Sequence, residues 1–290
     1  MLNILVTGAD GQLGRQLRKL GAASENNYIY TDVGQLDITD AVAVDAFAER
    51  HSPDVIINCA AYTNVERAED DEQTACLVNC TAASNLAAAA ARTGALLVHI
   101  STDYVFDGRS LKPYTEDMPA APLNAYGRTK LAGENAVVGS GCRYIILRTA
   151  WLYSEYGNNF LKTMLRLTAE RQEVTVVADQ FGTPTYAADL AAAIFEIVEN
   201  GKYEGNEGIY HYTNEGECSW YDFAAAIAAE AGRTDCKIIP CRTEEYPTKA
   251  VRPARSVLDK SKVKSRFGCE IPCWREAMKR CIQQINGKSE

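Results

Sequence analysis

Within its first twenty residues the chain passes through a short apolar strand, a glycine-rich turn and the start of an amphipathic helix, a succession that few folds accept. Asn3-Ile4-Leu5-Val6-Thr7 is apolar and β-branched, and Gly8-Ala9-Asp10-Gly11-Gln12-Leu13-Gly14 follows at once. From Gln12 onward Leu13, Leu17 and Leu20 recur on one helical face. A glycine turn between strand and helix lays backbone N–H groups against a pyrophosphate at the helix N-terminus. Gly8 suits the tight turn, Gly11 the close approach of backbone to phosphate, and Gly14 the packing of helix on strand. The spacing is G-x-x-G-x-x-G rather than G-x-G-x-x-G, so an ordinary strand-to-helix turn is the competing reading.

The next strand favours the nucleotide reading. Tyr28-Ile29-Tyr30-Thr31 leads into Asp32, where an acid binds the adenosine ribose hydroxyls. An acid there repels a 2′-phosphate and leans toward NADH, while Arg15 offsets it by reaching a phosphate, so NADH and NADPH both stay open. Asp37-Ile38 suits contact with adenine; an N-capping role for Asp37 or Asp40 ahead of the next helix is the alternative.

Strands and helices alternate from here. A helix over Ala41–His51 precedes the strand Val55–Asn58. A long alanine-rich helix, Glu72–Thr93, precedes Leu96–Ser101, and a helix around Tyr126 precedes Tyr144–Thr149. Continuous apolar strands between helices predict an α/β fold, a Rossmann-like doubly wound parallel sheet covered on both faces. Ligands on such sheets bind beyond the carboxyl ends of the strands, where Cys59-Ala60-Ala61, Ser101-Thr102-Asp103 and Thr149-Ala150-Trp151 fall. Residues 1–150 are expected to form the dinucleotide-binding domain. Residues 151–290 are expected to form mainly a smaller substrate-binding α/β lobe, with the helix near 187–199 packing back on the first domain. In that lobe Phe160–Ala169, Ser219–Gly232 and Trp274–Asn286 read as helices, and Glu173–Ala178 and Ile209–Tyr212 as strands. Its loops carry Arg252 and Arg255, suited to a diphosphate because guanidinium groups hold phosphate oxygens in fork geometry.

Composition limits the partners. Apolar residues make up 47% of 290, enough for a large core, and no unbroken apolar run reaches the ~20 residues of a membrane span. No basic region followed by an apolar stretch opens the chain, so no signal peptide and a cytoplasmic location are expected. The ten cysteines form no C-x-x-C pair and read as reduced, buried thiols. A net charge of −8 argues against nucleic acid as a partner.

Chemistry enters with Tyr126-Gly127-Arg128-Thr129-Lys130, placed after the hydroxyl pair Ser101-Thr102. A tyrosine and a lysine four residues apart share a helix face. The ammonium is expected to favour the phenolate and draw the tyrosine pKa from about 10 toward neutrality. With 15 tyrosines in the chain, chance alone supplies about 0.6 such pairs, so the spacing gains meaning only from the nucleotide motif beside it.

Together, Gly8–Gly14, the run Ser101-Thr102-Asp103-Tyr104-Val105-Phe106-Asp107-Gly108 and Tyr126/Lys130 resemble the extended short-chain dehydrogenase/reductase family and, within it, the dTDP-4-dehydrorhamnose reductases. Further matches are Asn58–Thr63, Arg148–Tyr153, Gly157–Phe160 and Arg252-Pro253, so the likeness runs from end to end. Dehydratases of this fold carry a glutamate where this chain has Tyr104, which suits the site to carbonyl reduction instead. The resemblance implies NADPH- or NADH-dependent reduction of the 4-keto group of dTDP-4-dehydro-L-rhamnose to dTDP-L-rhamnose. It places Gly11-Gln12-Leu13 at the pyrophosphate, Asp32 at the ribose, Asp37-Ile38 at adenine and Ala60-Ala61-Tyr62 at the nicotinamide. Lys130 would bind the nicotinamide ribose and Tyr126 would donate the proton. Thr102, Asp103, Tyr104, Trp151 and Arg252 would hold the sugar nucleotide. Some relatives are described as Mg²⁺-dependent dimers bridged by acids on the first and a later helix. Here those positions read as Gln16 and, in Ala187-Ala188-Asp189, Asp189 alone, so no tightly bound metal is expected and monomer or homodimer stays open. The alternatives within this fold are a non-catalytic dinucleotide-binding regulatory subunit and a nucleotide-sugar epimerase. An intact hydroxyl, Tyr and Lys set speaks against the first; tightly held NAD⁺ without net turnover would mark the second.

Overall fold

The computed structural model describes residues 1–287, so the last three positions of the C-terminal range, 288–290, lie outside the described residues. Six strands form one parallel sheet. β1 (Asn3–Thr7) pairs with β2 (Asn27–Thr31) on one side and β3 (Val55–Asn58) on the other. β4 (Leu96–Thr102) and β5 (Arg143–Thr149) continue outward from β3. Gly208–His211, a strand from the C-terminal half, closes that edge beside β5. The chain moves from β1 to β2 and then crosses back to β3, so a switch point opens between β1 and β3 at their carboxyl ends.

The apolar strands are explained by what covers them. On one face Leu13 and Leu17 of α1 (Gln12–Gly21) pack with Leu190, Ile194 and Ile197 of the helix Ala187–Glu199 against Ile4, Val6 and Ile57. On the other, Val44 and Ala48 of α2 (Ala41–His51) join Ala83, Leu86, Ala87 and Ala90 against Leu5, Ile56 and Leu97. Burial on both sides removes any need for alternating polarity along a strand.

Glu72–Thr93 is long and apolar enough by length and composition to cross a membrane. Here its alanine face and Leu86 are buried on the sheet. It is also not uniformly α-helical, because Leu77–Thr81 forms a π-turn between Glu72–Cys76 and Ala82–Thr93. The wide turn pushes the Asn79 carbonyl toward the neighbouring helix, where a Cβ at Gly133 would come within 2.2 Å of it. Only glycine fits there.

A second core gathers Leu161, Met164, Phe223, Ile227, Met278 and Ile282 from the helices Phe160–Glu170, Trp220–Glu230 and Trp274–Asn286. These helices flank a parallel pair, Glu173–Val177 with Lys237–Cys241. The second of these strands carries Pro240 and partial exposure, features that hide a strand from pattern reading. Ser219 and Asp222 cap Trp220–Glu230 reciprocally, the Asp222 N–H donating to Ser219 Oγ at 3.0 Å and the Ser219 N–H to Asp222 Oδ2 at 2.9 Å.

Candidate active site

A cleft of about 650 Å³ opens beyond the carboxyl ends of β1, β3, β4 and β5. Gly8, Gly11, Gln12, Leu13, Asp32, Asp37, Ile38, Ala60, Ala61, Tyr126 and Lys130 all line it. Gly8 has φ +65°, and a Cβ there would stand 2.6 Å from the Ala60 N. Gly11 precedes α1 without a side-chain cap, leaving the first helical N–H groups available to an anion. Gly14 does not line the cleft; it lets α1 approach the turn, since a Cβ would lie 2.5 Å from the Ala9 Cα.

Both oxygens of the Asp32 carboxylate accept backbone N–H groups, from Asp10 at 3.0 Å and Val33 at 2.9 Å. Asp40, not Asp37, caps α2, by accepting from Val42 and Ala43. Asp37 instead accepts from the N–H (2.9 Å) and hydroxyl (2.7 Å) of Thr39, which hold its carboxyl below the usual range. Tyr62 lies just outside the cleft lining, its backbone held by Asn79, which accepts from the Tyr62 N–H at 2.9 Å and donates to its carbonyl at 3.2 Å.

The chemistry-bearing side chains meet at the end of β4. Lys130 is buried and its Nζ donates to the Ile100 carbonyl at 2.6 Å. Burial lowers the lysine to about 8, with Glu134 one turn along the helix opposing that shift. Tyr126 differs from the sequence expectation. Burial pushes its phenol up to about 12, against the pull of the Thr102 hydroxyl, and Asp103 adds to the rise. The bond recorded for the Lys130 ammonium is to the Ile100 carbonyl.

Beneath this pair Glu134 is clamped by Arg148, whose Nε and Nη2 donate at 2.9 and 2.6 Å, and it also accepts from Ser101 Oγ. Ser101, one member of the hydroxyl pair, is thereby committed to structure. Thr102 Oγ1 donates to Asp103 Oδ1 at 3.0 Å and accepts the Tyr104 N–H at 3.2 Å. Burial raises Asp103 to about 7.

The residues assigned to the sugar nucleotide do not line the cleft. Thr102, Asp103 and Tyr104 are buried, and the Tyr104 ring meets the Tyr126 ring edge-on with centroids 5.7 Å apart. Arg252 pairs with Glu66 at 2.8 Å and hydrogen-bonds the Tyr104 side chain. Arg255 has both arms of its fork on Glu217, at 3.0 and 2.7 Å. Trp151 stands at the end of β5 in the left-handed region (φ 47°), a conformation that costs a non-glycine residue about 1–3 kcal/mol. Its indole stacks on Trp220 with centroids 3.5 Å apart and presses on Gly182, where a Cβ would lie 2.7 Å from the ring.

Leu152, Gly157 and Asn158 also line the cleft, and none was assigned a role from sequence. The Gln12 side chain explains their placement. Its Oε1 accepts from Ser154 Oγ at 3.2 Å and Asn159 Nδ2 at 2.9 Å, so the glycine turn anchors the loop that faces it.

The Mg²⁺ positions do not fit a divalent ion. Gln16 presents an amide that donates to Glu155 at 2.8 Å, and Asp189 is paired with Arg280 at 2.7 Å and accepts from Asn214 at 2.7 Å. Among the described residues no three His, Cys, Asp or Glu side chains cluster as a metal site.

A doubly wound parallel sheet with a glycine turn at its switch point and a Tyr/Lys helix beside it defines the architecture of the short-chain dehydrogenases/reductases. The family model described as the RmlD substrate binding domain matches residues 2–286. The chain is 42% identical to a dTDP-4-dehydrorhamnose reductase of Burkholderia thailandensis, covering 98% of this chain and 99% of the relative. The crystal structure of such a reductase from Clostridium acetobutylicum is 45% identical and superposes with a TM-score of 0.94 over 98% of this chain and 100% of that one. One from Bacillus anthracis, solved in complex with NADP, is 40% identical with a TM-score of 0.92 over 98% and 99%. The chain belongs to the dTDP-4-dehydrorhamnose reductase family.

Proposed function

We propose that this chain reduces the 4-keto group of dTDP-4-dehydro-L-rhamnose to the hydroxyl of dTDP-L-rhamnose, using NADPH or NADH, with Tyr126 as proton donor. The observation that carries the reading is that one cleft holds the glycine turn, Tyr126 and Lys130 together, in a chain similar to these reductases over its whole length. The bound dinucleotide supplies the hydride. A neutral phenol is the form a general acid must have, and at about 12 Tyr126 keeps its proton at neutral pH. Its task is to release that proton as negative charge grows on the ketone oxygen, a contribution of roughly 10²–10⁴-fold. The Thr102 hydroxyl beside it stabilises the same oxygen. Lys130, still largely protonated at neutral pH with a pKa of about 8, aids the departure of the phenolic proton once its ammonium leaves the Ile100 carbonyl. In this reading residues 1–150 are the dinucleotide-binding domain, with the helix 187–199 packed back on it, and the remainder of 151–290 is mainly the lobe that holds the nucleotide sugar.

The test is a panel of nucleotide keto-sugars assayed with NADPH and NADH, on the unaltered chain and on Tyr126→Phe. The expected outcome is net oxidation of the reduced dinucleotide with the dTDP-linked 4-keto sugar. Tyr126→Phe should lose about 10²-fold or more in kcat with dinucleotide affinity retained. Loss of dinucleotide binding in the variant would give Tyr126 a structural role instead.

A further inference from the structure

We propose that Cys76 and Cys80 form an oxidisable dithiol, a modification site that reacts with a low-molecular-weight disulfide and closes to an internal disulfide. Cys76 ends the helix Glu72–Cys76, and Cys80 lies in the π-turn Leu77–Thr81 that follows it. Residues four apart share a helix face, with Cβ atoms roughly 5–6 Å apart. Here the two thiols are close enough to share a hydrogen bond. Both are partly exposed, whereas Cys142, Cys218, Cys236 and Cys281 are buried. A π-turn inside an α-helix is itself a common mark of a functional site.

The exchange balances with that one outside reagent. The Cys76 thiolate attacks one sulfur of the small disulfide, breaking its S–S bond and releasing one small thiolate. Cys80 gives up its proton, attacks the Cys76 sulfur of the mixed disulfide and expels the second small thiolate. The two cysteine protons end on the two released thiols. The cysteine pair is oxidised by two electrons and the small disulfide is reduced by the same two. The order of attack follows from the surroundings. Burial, and then the Cys76 sulfur beside it, raise the Cys80 thiol, so Cys80 keeps its proton longer and acts as the resolving partner.

The new bond acts on the cleft through the turn it spans. Between the two cysteines lie Val78, which lines the cleft, and Asn79. Asn79 holds the Tyr62 backbone on both sides, and its Nδ2 also donates to Thr129 Oγ1 at 3.1 Å. Thr129 Oγ1 in turn donates to the Tyr126 carbonyl at 3.0 Å. A disulfide needs Cβ atoms about 3.5–4.5 Å apart, closer than the roughly 5–6 Å of helix spacing. Closure therefore draws the turn together around Asn79. A misplacement of about 1 Å at reacting groups costs up to about 10²-fold in rate, so the oxidised chain should turn over more slowly.

The test exposes the full chain to oxidised glutathione under native conditions, alkylates the remaining thiols and cleaves after lysine and arginine. The peptide 68–92 then carries Cys76 and Cys80 and no other cysteine. From the unaltered chain it should emerge two hydrogens lighter than the reduced peptide, and from Cys80→Ser as a glutathione adduct on Cys76. Oxidation of NADPH with the dTDP-linked 4-keto sugar should fall about tenfold or more in the oxidised chain and return with dithiothreitol. Cys76→Ser/Cys80→Ser should keep full turnover through the same treatment. Two alkylated cysteines in peptide 68–92, or adducts on both without an internal bond, would overturn the proposal. An internal bond that leaves turnover unaltered would overturn its action on the cleft. The mass readout needs no turnover, so a chain that forms the bond and never oxidises NADPH supports this site and overturns the reductase reading instead.

Discussion

On the nucleotide side of the cleft Gly11, Asp32, Asp37 and Ala60 already face one open volume. On the sugar side Thr102, Asp103 and Tyr104 are buried against one another, and Arg252 is drawn off to Glu66. The first half is made by backbone: a left-handed glycine, an uncapped helix start and strand ends that stop at the same level. Such parts cannot be satisfied by rotating a side chain, and they face the open cleft. The second half is made by side chains that bond largely to one another, since a buried polar group without a partner costs about 1–3 kcal/mol. One half is therefore preformed and the other is latched.

The largest effect is expected beneath the boundary, where Glu134 joins Ser101 to Arg148 and stands one turn from Lys130. Arg148 and Glu134 are 5% and 2% exposed, so removing one partner strands the other charge out of water. Glu134→Leu should cost about 3–5 kcal/mol by denaturant unfolding. A loss below about 1 kcal/mol would mean that solvent reaches the pair and that it behaves as a surface bridge.

Gly8→Ala probes the preformed half. The new Cβ would meet Ala60 N, Ala60 Cα and Cys59 C at 2.6, 2.7 and 2.9 Å, all backbone atoms, at a φ of +65°. Crowding and the left-handed penalty together should cost about 2–4 kcal/mol, and dinucleotide affinity should fall with stability. Affinity preserved at lower stability would show that the turn adapts and that this half is not set by backbone.

These two halves were unequally legible in the sequence. The glycine spacing, Asp32 and the apolar strands follow from rules of backbone geometry that act over a few residues, and the six-stranded sheet and the cleft lining answer to them. The sugar side was reached through likeness, because its contacts are distant in the chain. Arg252 finds Glu66 across 186 residues, on the short helix Val65–Asp70, whose six residues carry little periodic signal. The acidification of Tyr126 by Lys130 rests on i,i+4 spacing read beside the nucleotide motif. Spacing gives proximity but not direction, and the Ile100 carbonyl of β4 accepts from the ammonium. The π-turn at Leu77–Thr81 has no signal in its own residues, although its Asn79 carbonyl leaves room only for glycine at position 133.

Titration separates the halves by readout and by pH window. Lys130 at about 8 implies that kcat falls as pH rises through that value, because the charge that assists the phenol is lost. In Glu134→Gln the falling limb should move to lower pH, since the carboxylate that opposes the lysine's shift is gone; an unmoved limb would assign it to another group. Asp103 acts on stability instead, and at lower pH. Its folded value of about 7 lies above the ~3.9 of an unfolded aspartate, so the native state holds the extra proton between those values. Stability from this group is present below about pH 4 and is lost as pH rises toward 7. Asp103→Asn should flatten that decline, and an unchanged slope would mean the carboxyl is hydrated.

The smallest change in stability should come from the latch itself. Arg252 and Glu66 are 26% and 37% exposed, and pairs of this kind contribute about 0–1 kcal/mol. Arg252→Met keeps the side-chain length that covers Tyr104 and removes the charge, so the melting temperature should barely move. If the guanidinium leaves Glu66 to meet a sugar-nucleotide phosphate, KM for that substrate should rise about tenfold or more while dinucleotide affinity is unchanged. Glu66→Gln should do the reverse, weakening the latch and lowering KM, because the arginine no longer has to abandon a carboxylate. Were both variants to leave KM untouched, Arg252 would be a fixed strut. The sugar half would then have to open somewhere else, with the strained Trp151 and its Trp220 stack the next place to cut.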